Sequence, residues 1–303
     1  MTYKIVGYDP SYIEKQADLV WEVSGKWKYP YRTSIEALKK TYSKENFDPS
    51  TRFYAMENDQ LVGYITSDVV RNKEKGDYGT LRFPLVKNDH REISSNLMEK
   101  AFERFKELGI TRIRSAAGKD FGNTVELAEK YGFVQKNLLF KRTRMPIEEL
   151  KISGNKEGVI DFDDALLEEL KNIYETKMGM SKQEGKSWFN FALTNRKRKE
   201  QEFGPSRISW KMTCENNEIS GFSYMHRSDQ DPSYGGVVPF WSNNPMNIEQ
   251  VIDTHLSAHI EDLEPEGLKF VGTFLIDELL KLEGLYSKFG FVFDSVYSFE
   301  KIL

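Results

Sequence analysis

Apolar positions along the chain fall into helical and strand rhythms, and the succession of rhythms occurs twice. Behind Asp9, residues Ile13, Ala17, Val20 and Trp21 keep helical spacing, so a helix is predicted over 10–23. Thr33 or Ser34 opens a second helix to about Tyr42, with Glu36 placed to complete its cap. Stretches 52–56 and 61–69 have strand character and meet at the turn-forming pair Asn58-Asp59; 78–86 is a further strand. Ile93, Leu97, Ala101, Phe105 and Leu108 make the inward stripe of a long amphipathic helix closed by Gly109. A strand over 111–116, a helix over 124–131 and one or two strands over 133–145 complete the first series.

The order then returns. Helices are predicted over 163–176 and 181–194, then strands over 207–213 and 219–226 joined at Asn216-Asn217. A strand over 234–241, a helix over 245–263, a strand over 268–274, a helix over 275–288 and a closing strand from 291 follow. Ala128-Glu129-Lys130-Tyr131-Gly132-Phe133 is echoed by Tyr286-Ser287-Lys288-Phe289-Gly290-Phe291, and Gly63 by Gly221, each pair 158 positions apart. A register kept over that distance points to an internal duplication. Two domains are expected, 1–145 and 159–303, joined by a charged linker over 146–158. Each is α/β in class: a mixed, mostly antiparallel sheet with helices on both faces.

Composition narrows the function classes. Lys and Arg number 43 against 47 Asp and Glu, and the signs are interspersed, so neither nucleic acid nor membrane is an expected partner. Cys214 stands alone, which excludes an internal disulfide and a thiolate metal cluster. No signal-peptide core opens the chain and no apolar run approaches membrane length, so a soluble cytoplasmic protein is expected.

The repeated element order and the Leu-Tyr-x-Lys-x-Gly-Phe ending resemble the GNAT acyltransferase superfamily, in particular its tandem members. The resemblance implies an acyl-coenzyme A dependent N-acyltransferase, with acetyl-coenzyme A as co-substrate and an amine of a small metabolite or peptide as acceptor. In the family, coenzyme A lies where the fourth strand bulges and parts from the fifth, its pyrophosphate on a glycine-bearing loop at the next helix. Glu92 and Ser94 stand at the glycine positions in the first half, leaving Lys87, Arg91, Ser94 and Ser95 as an unorthodox phosphate seat. The second-half seat would be formed around Asn243 and Asn244, without a cation. Tyr286 stands where many family enzymes place a general acid, whereas the first half has Ala128 there. Backbone N–H groups over 238–240, from Val238 to Phe240, would polarise the thioester, and Gly235-Gly236 suit a bulge. The competing expectation is a non-catalytic binding or scaffold protein that kept the fold and lost coenzyme A.

His255 and His259 lie four apart within the apolar stripe of their helix. They suit a metal pair, buried hydrogen-bonded imidazoles or a substrate-facing pair, but the zinc-protease pattern fails, and no metal is expected. Trp27, Tyr29 and Tyr31 suit either an acceptor site or packing at a helix corner.

Overall fold

The computed structural model describes residues 3–31, 33–74, 76–178, 181–204, 207–228, 231–237 and 240–303. In chain order the first elements are β1 (Lys4–Gly7), α1 (Ile13–Ser24), α2 (Ile35–Tyr42), β2 (Arg52–Glu57), β3 (Gln60–Val70) and β4 (Tyr78–Val86). Then come α3 (Ile93–Glu107), β5 (Arg112–Ala117), α4 (Thr124–Lys130), β6 (Val134–Arg142) and β7 (Met145–Pro146). The second series is β8 (Ile160–Asp161), α5 (Leu167–Thr176), α6 (Lys182–Phe203), β9 (Ile208–Glu215), β10 (Glu218–Arg227), β11 (Tyr234–Val237) and β12 (Trp241–Ser242). It ends with α7 (Ile248–Leu263), β13 (Phe270–Gly272), β14 (Phe274–Leu275), α8 (Glu283–Lys288) and β15 (Asp294–Ile302).

Local chemistry explains the repeated elements. Asn58 and Asp59 take φ of 47° and 62°, and Asn216 and Asn217 take 53° and 66°, left-handed values that Asn and Asp tolerate and a tight hairpin requires. Ala55 faces Gly63 across the first hairpin as Thr213 faces Gly221 across the second, and each hairpin slips by one residue beside that pair. Helices α4 and α8 close alike. The Phe133 N–H donates to Ala128 O and the Phe291 N–H to Tyr286 O, around Gly132 and Gly290 at φ of 71° and 92°. The duplication read from the 158-residue offset is present in backbone geometry.

The compact units differ from the expected domains. One contains 1–141 together with Asp294–Leu303; the other is 142–293. The first sheet runs β1-β2-β3-β4-β5-β15-β6, with β15 antiparallel to β5. By sequence β15 is the counterpart of β6, since each follows a Gly-Phe helix ending, yet it lies in the first unit. The second sheet runs β7-β13-β11-β10-β9-β8, with β12 on β10. Its edge strand β7 comes from the end of the first repeat and pairs with β13. The stretch 146–158 is therefore strapped to the second unit. Lys151 N–H donates to Phe289 O at 3.0 Å, Ser153 N–H to Asp253 at 2.7 Å, and Lys156 pairs with Glu261. An open sheet edge accepts any strand of suitable pattern, so a repeat can exchange strands with its copy at little energetic cost.

In the first unit α3 covers one face of the sheet and α1 the other; in the second α7 covers one face and α5 with α6 the other. Leu97, Met98, Ala101 and Phe105 of α3 pack on Ile65, Leu81, Ile113 and Phe299, while Leu19 and Val20 of α1 pack on Tyr54 and Tyr64 behind. In the second unit α7 packs over Met225, Val237 and Val271, and α5 and α6 cover Trp210, Phe222 and Tyr224. Helix α6 runs well past 194 from a Ser181–Glu184 capping box. The basic run 196–199 lies inside it, with Arg196 on Asp164 and Glu200, and Lys199 donating to Arg227 O.

Candidate functional site

In the first unit β4 and β5 run parallel and pair at Gly79–Ile113 and Thr80–Arg114, after which no further register pair joins them. At this fork Ser115 Oγ donates to Leu81 O at 2.7 Å. Strand β4 bulges between Arg82, opposite Thr66, and Leu85, opposite Tyr64, so Phe83 and Pro84 together face Ile65. Proline has no N–H to place in a ladder, and a bulge is where its absence costs least.

The first turn of α3 has no side-chain cap. Lys87 Nζ stands 3.0 Å from Glu22, Arg91 is exposed, and Ser94 is buried. Ser95 Oγ accepts from Tyr131 at 2.9 Å and from Lys130 Nζ at 3.2 Å. His90 Nε2 lies 2.9 Å from Glu57. A helix start whose N-cap residue Glu92 makes no side-chain cap leaves backbone N–H groups for a pyrophosphate, with Arg91 and Lys130 as cations beside it and Lys87 shared with Glu22.

The second unit has been altered at the same places. Strands β11 and β13 pair at Tyr234–Phe270, Gly235–Val271 and Gly236–Gly272. Gly235 and Gly236 stand in regular register with β10 rather than in a bulge. Their missing Cβ atoms instead let Met225 and His226 approach closely. Val238 lies outside the described residues, while Phe240 is buried. Tyr286 is 1% exposed, its ring among Phe240, Phe291 and Phe293, and its phenol oxygen accepts from the Phe240 backbone N–H. Burial pushes the phenol pKa well up, which keeps the proton on. The Asn244 side chain accepts from the Met246 N–H at 3.0 Å, and the Asn243 N–H donates to Ser220 O. With the turn capped from within and no cation on it, this seat does not fit a pyrophosphate as the first one does.

His255 and His259 are fully buried and belong to a chain of hydrogen bonds beneath the second sheet. Ser223 Oγ is 2.8 Å from His255 Nδ1 and 2.8 Å from His259 Nε2, and His259 Nδ1 is 2.8 Å from Ser209 Oγ. Ser209 donates to Asp262 at 2.6 Å, and Lys211 Nζ stands 2.7 Å from Asp262 and from Asp161. A hydroxyl has one proton, so Asp262 sets the direction of the whole chain. Ser209 accepts from His259 Nδ1–H; His259 Nε2 is then bare and accepts from Ser223; Ser223 accepts from His255 Nδ1–H. His255 Nε2 is left bare, buried and without a partner among the described residues. Burial, aided by the Lys211 charge, pushes the His255 pKa down to about 3. Burial also holds His259 well below its ordinary value, with His255 and Lys211 adding to the effect.

Tyr29 is buried against Phe121 and Val296, and its hydroxyl donates to Asp294 at 2.6 Å, so it packs a corner. Sequence reasoning missed a cavity of about 770 Å3 in the first unit, on the sheet face turned away from α3. Asp68, Arg82, Arg114, Ala116, Lys136 and Glu300 line it, from β3, β4, β5, β6 and β15. Alternate polar residues on strands are the only trace it leaves in the sequence, and a solvated face leaves the same trace.

Residues 18–133 match the Acetyltransferase (GNAT) family. Among solved structures, a tandem GNAT protein from the clavulanic acid biosynthesis pathway superposes with a TM-score of 0.62 at 11% identity, covering 99% of this chain and 98% of that one. A GCN5-related N-acetyltransferase from Sphaerobacter thermophilus does so with a TM-score of 0.57 at 11% identity, covering 99% and 95%. At that identity the likeness shows fold. No curated protein matches the chain in sequence. The family match lies in the first half, and the chain as a whole shares the tandem GNAT fold of these structures.

Proposed function

We propose that the chain is an acyl-coenzyme A dependent N-acyltransferase, most simply an acetyltransferase, acting on an amine of a small metabolite or peptide, and that its first unit performs the transfer. The observation that carries this reading is the meeting of three features in one place. The cavity is lined by Thr80 and Arg114, the last β4–β5 pair, by Leu81 and Ser115 just past it, and by Arg82, at which the β4 bulge begins. Acyl-coenzyme A would supply the activated thioester. Lys87, Arg91 and the first-turn N–H groups of α3 would hold its pyrophosphate, with the hydroxyls of Ser94 and Ser95 beside them. The bulge takes Phe83 out of the β3 ladder, which makes its N–H a donor for the developing oxyanion. Ala128 offers no acid, so the first unit would work by positioning the amine at the fork.

A second reading gives the chemistry to the second unit, with Tyr286 as general acid. The hydrogen bond between its protonated phenol and Phe240 favours that reading. The scaffold alternative draws on the internally capped, cation-free seat in the same unit. Three measurements separate them. Coenzyme A at a hundred times its dissociation constant should add roughly 2.7 kcal/mol of stability in a thermal-shift assay. No shift with coenzyme A or acetyl-coenzyme A at millimolar concentration would leave the scaffold reading. If a shift appears, Ala116→Trp should abolish acetyl transfer and Tyr286→Phe should leave it nearly intact; the reverse outcome moves the chemistry to the second unit.

A further inference from the structure

The charges around the first-unit cavity do not cancel in place. Asp68 is held by Arg52 at 2.6 Å and Glu300 by Arg114 at 3.2 Å, and the Arg114 guanidinium also lies 4.5 Å from the Tyr78 ring centroid. Arg82 and Lys136 line the same cavity, are exposed, and have no ion pair among the described residues. At about 770 Å3 the cavity falls in the range that small-molecule sites occupy. A neutral sheet face would have no use for two unmatched cations beside two carboxylates that each retain an oxygen outside the ion pair. From this juxtaposition we infer that the acceptor carries an anionic group, a carboxylate or a phosphate, in addition to its amine. Arg82 and Lys136 bind the anion, while Asp68 and Glu300 supply the negative charge that an ammonium group meets on arrival. This inference rests on the first unit being the transferring one, since the amine must lie beside Leu81 and Ser115, where the strands part.

Binding is measured by calorimetry without any acyl donor, so the result stands whether or not transfer is observed. The probes are the free amino acids against their carboxamides, and phosphoethanolamine against ethanolamine; the two arms distinguish a carboxylate from a phosphate. At least one anionic probe should bind ten-fold or more tightly than its neutral partner. Arg82→Met with Lys136→Met should bring the pair to equal affinity without moving Tm, because both side chains are exposed. The single variant Lys136→Gln should fall between. Equal binding of anionic and neutral probes, no binding of any anionic probe, or tight binding retained by the double variant would each overturn the inference. Loss of transfer with binding intact would count against the proposed function alone.

Discussion

Helices α3 and α7 hold corresponding places in the two units, and their inward stripes match position for position at the 158-residue offset. Ile93, Leu97, Met98, Ala101 and Phe105 correspond to Val251, His255, Leu256, His259 and Leu263, all buried. On the sheet beneath, Ile65 corresponds to Ser223. One copy closes its core with hydrocarbon; the other threads two imidazoles and two serines through it, ending on Asp262. The fold tolerates this because each polar group except His255 Nε2 has a partner, so the desolvation penalty of the chain is largely offset. The same two units differ at the turns that lead into these helices, where Lys87 makes no cap in one and the Asn244 side chain caps the Met246 N–H in the other. Duplication left one scaffold and two internal chemistries.

The largest effect is expected from putting the second unit's residue into the first. Leu97→His would lose a fully buried leucine and set an imidazole beside Ile65, with no serine to receive it. A destabilisation of about 3 kcal/mol or more in urea denaturation is expected, and a cost below about 1 kcal/mol would break the comparison.

The next effect is on pH dependence. The folded chain keeps His255 neutral to about 3 and His259 neutral well below 6.5, while the unfolded chain takes up protons from about 6.5 downward. The unfolded state therefore binds more protons in that window, and stability falls as pH falls. The contribution approaches about 1.4 kcal/mol per pH unit for each histidine. The converse exchange, His255→Leu with His259→Ala and Ser223→Ile, should flatten the slope between pH 6.5 and 4 relative to wild type. At neutral pH the triple variant should remain within about 2 kcal/mol of wild type, since a satisfied polar chain gives way to apolar packing. An unchanged slope would show that these imidazoles are not the groups taking up protons.

The smallest effect tests the equivalence of the hairpins. Asp59→Gly and Asn217→Gly relieve left-handed φ of 62° and 66°. Each should gain no more than about 1 kcal/mol, and by similar amounts. Opposite signs in thermal denaturation would show that the two turns are not alike.

Much of this comparison was legible in the chain. Paired turn residues, Gly63 with Gly221 and the Gly-Phe helix endings are local signals, and local geometry honoured them. The exchanged strand was not legible: β15 has the same pattern whichever sheet receives it, and the choice between two similar edges is a tertiary matter. The placing of Lys87 and Arg91 at the approach to α3 could be read, because a cation beside a helix start is a short-range feature. The burial of Tyr286 could not, since a helix-end tyrosine looks the same whether it lines a cleft or fills one. Arg82 and Lys136 escaped notice because strand alternation does not distinguish a cavity wall from a wetted face.

Titration of coenzyme A by calorimetry tests most directly the claim that the first unit holds the acyl donor. The account predicts one site per chain, lost when Lys87 and Arg91 are both changed to Glu and retained in Tyr286→Phe. Two sites per chain, or full affinity in the Lys87→Glu, Arg91→Glu variant, would contradict it.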